Sequence, residues 1–248
     1  MDLLILNEVS RTFGGIKALD SVSFSVAENE VVGIIGLNGS GKTTSVNVIT
    51  GFVKPDSGEV CFKGQEITGF APHKIAALGI ARSFQTVRPF HNLPAFKNLI
   101  VPLYSPRIRK FTESGRWGDR DGVALDLLEE VGFERDSPVP YKPASTLPHG
   151  YLRRLELARC LALRPDLLIT DELFSGLSSS EVASMVPLIE KLQARGMTLI
   201  MVEHRLRELF RLANKVIVMD RGRKIAEGSP PEIVENRTVK ETYLGAEI

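Results

Sequence analysis

Lys42 and Thr43 close the stretch GLNGSGKTT, residues 36–44, in which Gly36, Gly41, Lys42 and Thr43 stand at the spacing G-x-x-x-x-G-K-[ST]. Each residue type answers a chemical need. Gly36, Gly39 and Gly41 let the backbone bend so that successive N–H groups converge on a β-phosphate. Lys42 brings a mobile ammonium to the β- and γ-phosphates, and the Thr43 hydroxyl can ligate Mg²⁺. Leu37, Asn38, Ser40 and Thr44 complete the cradle. The pattern predicts a bound nucleoside triphosphate. Kinases, GTPases, motors and pumps all use such a loop, so it leaves the use of the nucleotide open.

The second chemical feature is LLITDE, residues 167–172, an apolar run ending in two carboxylates. At the C-terminal end of a strand beside a phosphate loop, Asp171 can hold Mg²⁺ directly or through water, and Glu172 can face the attacking water. An adjacent Asp-Glu pair is by itself ordinary surface chemistry; the phosphate loop makes it a candidate site. A kinase of this type needs an acceptor pocket and usually an arginine-bearing lid. A glutamate poised on water predicts hydrolysis instead.

Several elements must position these groups. EVVGIIG, before the loop, reads as a buried β-branched strand, and TTSVNVIT after it opens a helix whose N-terminus faces the anion. LLILNEVSRTF and DSVSFSV alternate as half-buried strands do, and GEVCFKGQEI reads as a hairpin arm after the turn KPDSG. From Thr86 to about Asp166 the pattern turns helical: GVALDLLEEVGF is amphipathic, and PRIRKFTESGRWGDRDG before it reads as a surface loop. LLIT is a buried parallel strand. SSSEVASMVPLIEKLQARG is a helix with Ser178 and Glu181 as a capping box and Pro187 as a kink. MTLIMVEH returns to the sheet, RLRELFRLAN is a further helix, and KVIVMDRGRKIAEG closes as a hairpin. A helical insertion therefore divides an α/β core into a phosphate-loop half and a carboxylate half.

Composition adds limits. A chain of 248 residues, 43% apolar, can bury a large core. Its 31 basic and 30 acidic residues nearly cancel, so no bulk pull toward nucleic acid or anionic membrane is expected. Cys61 and Cys160 form no C-x-x-C and fit packing roles in a reducing compartment. MDLLILNEVSR has no signal-peptide character, and no apolar stretch approaches the roughly 20 residues that span a bilayer. The expectation is a soluble chain whose membrane role, if any, comes through a partner.

LPHGYLRRLELARCLALRPDLLITDE, upstream of and including the carboxylate strand, resembles the signature helix and Walker B strand of the ATP-binding cassette (ABC) family. Other family parts fall into order. Phe13 matches the aromatic residue that stacks on adenine, and Gln85 in ARSFQ matches the glutamine that senses the γ-phosphate and Mg²⁺. SGLS, residues 175–178, matches the D-loop, and His204 in MVEHRL matches the switch histidine. His73, His91 and the region of Trp117 carry no such context and read as surface or packing residues. FGGIKALDSVSF, ITGFVKPDSG, ARSFQTVRPFHNL, RRLELARCLA and the ETYLG tail are similar to the LivG-like branch, the ATPases of branched-chain amino acid importers.

The resemblance implies one ABC ATPase domain over residues 1–248. Its α/β fold would have a P-loop core, an N-terminal antiparallel β subdomain, and an α-helical subdomain inserted at about 86–165. It implies ATP and Mg²⁺, with Thr43, Gln85 and Asp171 toward the metal, and Glu172, His204 and Gln85 in catalysis. Leu147, Pro148, His149, Gly150 and Tyr151 would meet the nucleotide of a second ABC subunit, homologous or identical. Permease subunits in the membrane and, indirectly, a solute-binding protein are the implied partners, at the cytoplasmic face of the membrane and without nucleic acid. Urea or amide importers and a lipopolysaccharide-type exporter share much of the pattern. A soluble non-transport ABC ATPase would normally carry two cassettes or a coiled-coil insertion, which this chain lacks.

The sequence departs from the family at several positions. LPHGY stands for L-S-G-G-Q, so Pro148 replaces a serine that binds γ-phosphate and His149 replaces a glycine. Proline suits the first turn of a helix, Gly150 still offers an N–H, and a helix from Tyr151 would aim its positive end at the anion. Thr170 takes a usually apolar position, Leu173 replaces a common proline, and Ser178 replaces Asp or Asn.

Overall fold

The computed structural model describes residues 1–108 and 119–242. Period-two alternation builds the first sheet. In β1 (Asp2–Phe13), Leu4, Leu6 and Val9 point inward, and the strand pairs antiparallel with β2 (Ile16–Ala27). The other edge of β1 takes β4 (Ser57–Phe62), followed by β5 (Gln65–Glu66), giving the order β2-β1-β4-β5. GEVCFKGQEI thus holds a whole hairpin rather than one arm. It turns at Lys63 and Gly64, both at positive φ.

The second sheet has the order β10-β9-β3-β8-β7-β6. β3 (Val31–Ile35), β7 (Leu167–Asp171) and β8 (Thr198–Val202) are buried along their whole length. They run parallel to one another, to β6 (Ile80–Arg82) and to β9 (Lys215–Asp220). β10 (Arg223–Gly228) returns antiparallel on β9 as the expected closing hairpin.

Alternate residues of this sheet feed two cores. Val32, Ile34, Ile169, Val202 and Ile217 face the antiparallel sheet and α1 (Lys42–Ile49). Ile35, Leu168, Leu199, Met201 and Val218 face the helices. Each such side chain contributes about 1.5–3 kcal/mol by leaving water. This is why runs such as TLIMV can only be central strands.

Helices α2 (Pro72–Leu78), α3 (Ile100–Leu103), α4 (Arg120–Glu130) and α5 (His149–Leu161) follow in chain order, the last three lying between β6 and β7. Asp119 caps α4 by accepting the Gly122 N–H at 2.9 Å. The expected surface loop Pro106–Gly122 is helical at its described ends, residues 106–108 and 120–122. Its centre, with Trp117, lies outside the described residues. α6 (Ser179–Ala194) begins at the anticipated Ser178–Glu181 capping box and continues through Pro187. α7 (Leu206–Leu212), α8 (Pro230–Glu235) and α9 (Arg237–Thr242) complete the described chain. Both cysteines are free thiols, Cys160 buried and Cys61 partly so.

Candidate active site

The loop between β3 and α1 is pressed from behind by two backbones. A Cβ at Gly36 would stand 2.2 Å from the Met219 carbonyl oxygen, and one at Gly41 would stand 2.6 Å from that of Ala18. Only glycine fits at either place, and Gly41 takes a left-handed conformation as the α1 N-cap. No side chain caps α1, so its first amides are left for an anion. Lys42 is 6% exposed, and its Nζ donates to the carbonyls of Gly36 at 2.7 Å and Leu37 at 3.0 Å. Burial pushes its pKa down, against the pull of Glu172 and Asp171. The buried Ser40 hydroxyl in the same turn has no hydrogen-bond partner. Leu37, Asn38 and Gly39 form the exposed crest of the loop, and Thr43 and Thr44 open α1. An orphaned hydroxyl, uncapped amides and a buried ammonium together suit a phosphate chain.

Phe13 ends β1 with 43% exposure, and the Arg11 guanidinium lies 4.7 Å from its ring centre. The hairpin from Phe13 to Ile16 leads directly to Ala18, the residue against Gly41. This puts the ring on the hairpin next to the phosphate loop.

β7 delivers the two carboxylates to different surroundings. Asp171, buried, is held by Arg82 at 2.6 Å. Arg82 also donates to Asn47 and Thr50 of the α1 segment, tying β6, β7 and α1 together. Glu172 turns out of the strand at φ 52°, a left-handed conformation uncommon for a non-glycine residue. Its Oε2 accepts from Gln85 Nε2 at 2.7 Å, and its Oε1 lies 3.2 Å from His204 Nε2. The structure therefore brings Gln85, Glu172 and His204 together. The hydrogen bond to the carboxylate requires the His204 proton on Nε2.

Thr43, Gln85 and Asp171 line one cavity of about 450 Å³, walled by Phe52 and Phe84. Alcohol, amide and carboxylate oxygens are the hard donors that Mg²⁺ takes. Among the described residues no cluster of three His, Cys, Asp or Glu could hold a metal ion.

The signature stretch differs from expectation. The helix starts at His149, not Tyr151, and Pro148 is its N-cap, with extended ψ of 156°, rather than a residue of the first turn. Leu147 is buried. His149 points at its own D-loop, with Nε2 3.3 Å from the Ser175 carbonyl oxygen. Gly150 lies against the Glu181 carboxylate, which a Cβ there would meet at 2.5 Å, and the pKa of that carboxyl is lowered first by the Ser178 amide. Tyr151 packs edge-on against Phe133, with ring centres 5.0 Å apart.

Four residues to which sequence reasoning gave no role in the site now have one. Arg82 holds Asp171, and Glu181 joins α6 to the signature helix. Arg153 is 4% exposed and donates to the carbonyls of Phe84 and Ser175, both at 3.2 Å, linking the glutamine loop to the D-loop. Glu203, 2% exposed, accepts from the Phe174 N–H at 3.2 Å, with the Leu173 amide close by. A charged residue at the end of an apolar strand was the only available signal for Glu203.

Burial pushes Glu203 up to about 8 from an ordinary 4.5; the Glu172 charge adds to this, while the two amides and Arg153 oppose it. The folded protein thus holds a proton there between pH 4.5 and about 8 that the unfolded chain has released. Stability contributed by this group is full below 4.5 and is lost as pH rises through about 8. Denaturant midpoints of wild type and Glu203→Gln, compared across this range, should show the wild type losing more stability with rising pH. Parallel curves would refute the shift.

A phosphate loop on a central strand of a parallel sheet, with the carboxylates at the end of a strand two places away, defines a P-loop nucleotide-binding protein. Residues 19–175 match the ABC transporter family, and residues 223–248 match the branched-chain amino acid ATP-binding cassette transporter family. The chain belongs to the ABC transporter family as an ATP-binding cassette. It is 35% identical to the high-affinity branched-chain amino acid transport ATP-binding protein BraF of Pseudomonas aeruginosa, over 98% of each chain. It is also 33% identical to LivG of Escherichia coli over 98% of each chain. Among solved structures, a nucleotide-free ATP-binding cassette from an ABC transporter superposes with a TM-score of 0.86 at 31% identity, over 98% of this chain and 99% of that one. A cassette in its ADP conformation gives 0.85 at 32%, over 99% of each. The α/β fold read from the sequence is thus that of ABC ATPases. Among the described residues, no helix is long and apolar enough to cross a membrane.

Proposed function

We propose that this chain is the ATP-hydrolysing subunit of a membrane importer for branched-chain amino acids or a related small polar solute. Residues 1–248 act as one ABC ATPase domain, with the helical subdomain at about 86–165 inserted in it. The observation that carries hydrolysis is Glu172, held between Gln85 and His204 at the mouth of the phosphate loop. Glu172 and His204 orient water for attack on the γ-phosphate, and Lys42 with the α1 amides binds the β- and γ-phosphates. Phe13 stacks on the base. Thr43, Gln85 and Asp171 would hold Mg²⁺, which would supply charge neutralisation on the phosphates.

Two subunits meet head to tail, with the LPHGY helix of one facing the nucleotide of the other. ATP binds the closed dimer preferentially and so stabilises it. Motion passes through the Gln85 loop to permease subunits at the cytoplasmic face, which receive the solute from a binding protein outside. Kinship with BraF and LivG supports the amino acid cargo.

Pro148 supplies neither hydroxyl nor N–H, His149 is turned to Ser175, and Gly150 is backed by the Glu181 carboxylate. These contacts support pairing with a different cassette whose standard signature completes this chain's Glu172 site. Losing one preorganised donor at a transition state costs roughly 3–4 kcal/mol. The lone subunit should therefore hydrolyse ATP slowly, and reconstitution with the partner cassette and permease in liposomes should raise the rate strongly and support leucine uptake. Pro148→Ser should help the lone subunit more than the complex. A lone wild-type subunit already at the rate of the complex would refute the pairing.

A further inference from the structure

We propose that Glu203 is a positioning residue for the reaction, a buried clamp that holds the turn after β7 and thereby aims the Glu172 carboxylate. This rests on the reading of Glu172 as the group that orients water.

Glu172 leaves β7 in a left-handed conformation, which is strained for a non-glycine residue unless its surroundings impose it. The surroundings here are specific. The Glu172 N–H donates to the Val202 carbonyl at 2.8 Å, which keeps the residue on β8 as β7 ends. The Ser175 N–H closes on the Glu172 carbonyl at 3.1 Å, which makes a tight turn. Between them stand the amides of Leu173 and Phe174, two residues whose side chains are buried, at 1% and 0% exposure. Neither amide has water to turn to; Glu203 receives that of Phe174 at 3.2 Å, and the Leu173 amide lies close enough to favour the charged carboxylate. Arg153 fixes the far end of the same turn through the Ser175 carbonyl and reaches Phe84, the neighbour of Gln85.

Glu203 immediately precedes His204, so one short segment supplies both the clamp behind Glu172 and the imidazole in front of it. Any movement of residues 203–204 must move the Glu172 turn with it. A buried carboxyl is costly to retain, and simple packing would place an apolar side chain here. Receiving the buried Phe174 amide is what the carboxyl does that an apolar residue cannot. Gln85 and His204 contact only the Glu172 carboxylate oxygens; the backbone geometry that brings those oxygens into the site is set from behind.

The test compares Glu203→Leu, Glu203→Asp and Glu203→Gln with wild type and with Glu172→Gln. It measures kcat, ATP affinity and hydrogen exchange at the amide of Phe174. Leucine removes the acceptor, and aspartate shortens its reach while keeping the turn polar if the leucine variant does not fold. Glutamine keeps an acceptor oxygen in place. A displaced catalytic group costs up to about 10²-fold. The leucine variant should lose about that in kcat with ATP affinity near wild type, and aspartate about tenfold, since a partial displacement costs part of that factor. Both should exchange the Phe174 amide faster, whereas glutamine near neutral pH should match wild type in rate and protection. Wild-type kcat or unchanged amide protection in aspartate or a folded leucine variant would overturn the clamp. So would a glutamine variant as slow as leucine. Wild-type turnover in Glu172→Gln would instead overturn the reading of Glu172, while the exchange data would still report on Glu203.

Discussion

Glu172→Gln should retain ATP yet turn it over about 10²–10⁴-fold more slowly, the usual worth of a positioned acid–base group. The geometry shows why so small a change is enough. Both carboxylate oxygens face donors, Gln85 Nε2 at 2.7 Å and His204 Nε2 at 3.2 Å. A carboxamide offers only one acceptor oxygen. Its NH₂ must then face one of the two donors, so the variant loses both the base and one hydrogen bond that orients it. With the correct partner cassette present, an ATP-bound dimer should accumulate, because binding still drives closure and hydrolysis no longer reverses it. Turnover at saturating ATP, read beside size-exclusion profiles with and without nucleotide, decides the matter. Hydrolysis near the wild-type rate would remove Glu172 from the mechanism.

Lys42→Ala should weaken ATP binding by roughly 10–100-fold or more, since a hydrogen bond to a charged group is worth about 1.5–3 kcal/mol and 1.4 kcal/mol is a factor of ten. Hydrolysis should fall further, because the same ammonium meets charge that grows on the phosphates in the transition state. Lys42 Nζ is now spent on the carbonyls of Gly36 and Leu37, within the loop that would receive the phosphates. Nucleotide therefore needs only to exchange neutral partners for anionic ones. The alanine variant leaves those two carbonyls without their donor, so a thermal melt must accompany the titration to separate lost affinity from lost fold. A fluorescent ATP analogue binding both proteins equally would mean that this loop is not the nucleotide site.

The elements legible in the sequence were those whose signals are local. The wholly apolar β3, β7 and β8, the capping box at Ser178 and the closing hairpin each carry their own pattern, and each forms where that pattern lies. The trio Gln85, Glu172 and His204 was legible because each sits in a distinctive motif. What was not legible depends on burial. Arg82, Arg153 and Glu203 look like ordinary charged residues in a one-dimensional reading, and only the packing of distant strands shows that they are enclosed and what they hold. The start of the signature helix was misplaced for a related reason. Proline is acceptable both at the N-cap and in the first turn, and its extended ψ decides between them.

The strand order has a consequence for how the chain must be assembled. β3, which leads into the phosphate loop, pairs only with β8 and β9, supplied by residues 198–202 and 215–220. Its hydrogen-bonding edges stay open while the intervening helices are made. Sheet partners so far apart in sequence impose a slow, non-local closure with apolar edges exposed meanwhile. The phosphate loop thus comes early in the chain, whereas both strands that flank its leading strand come from residue 198 onward.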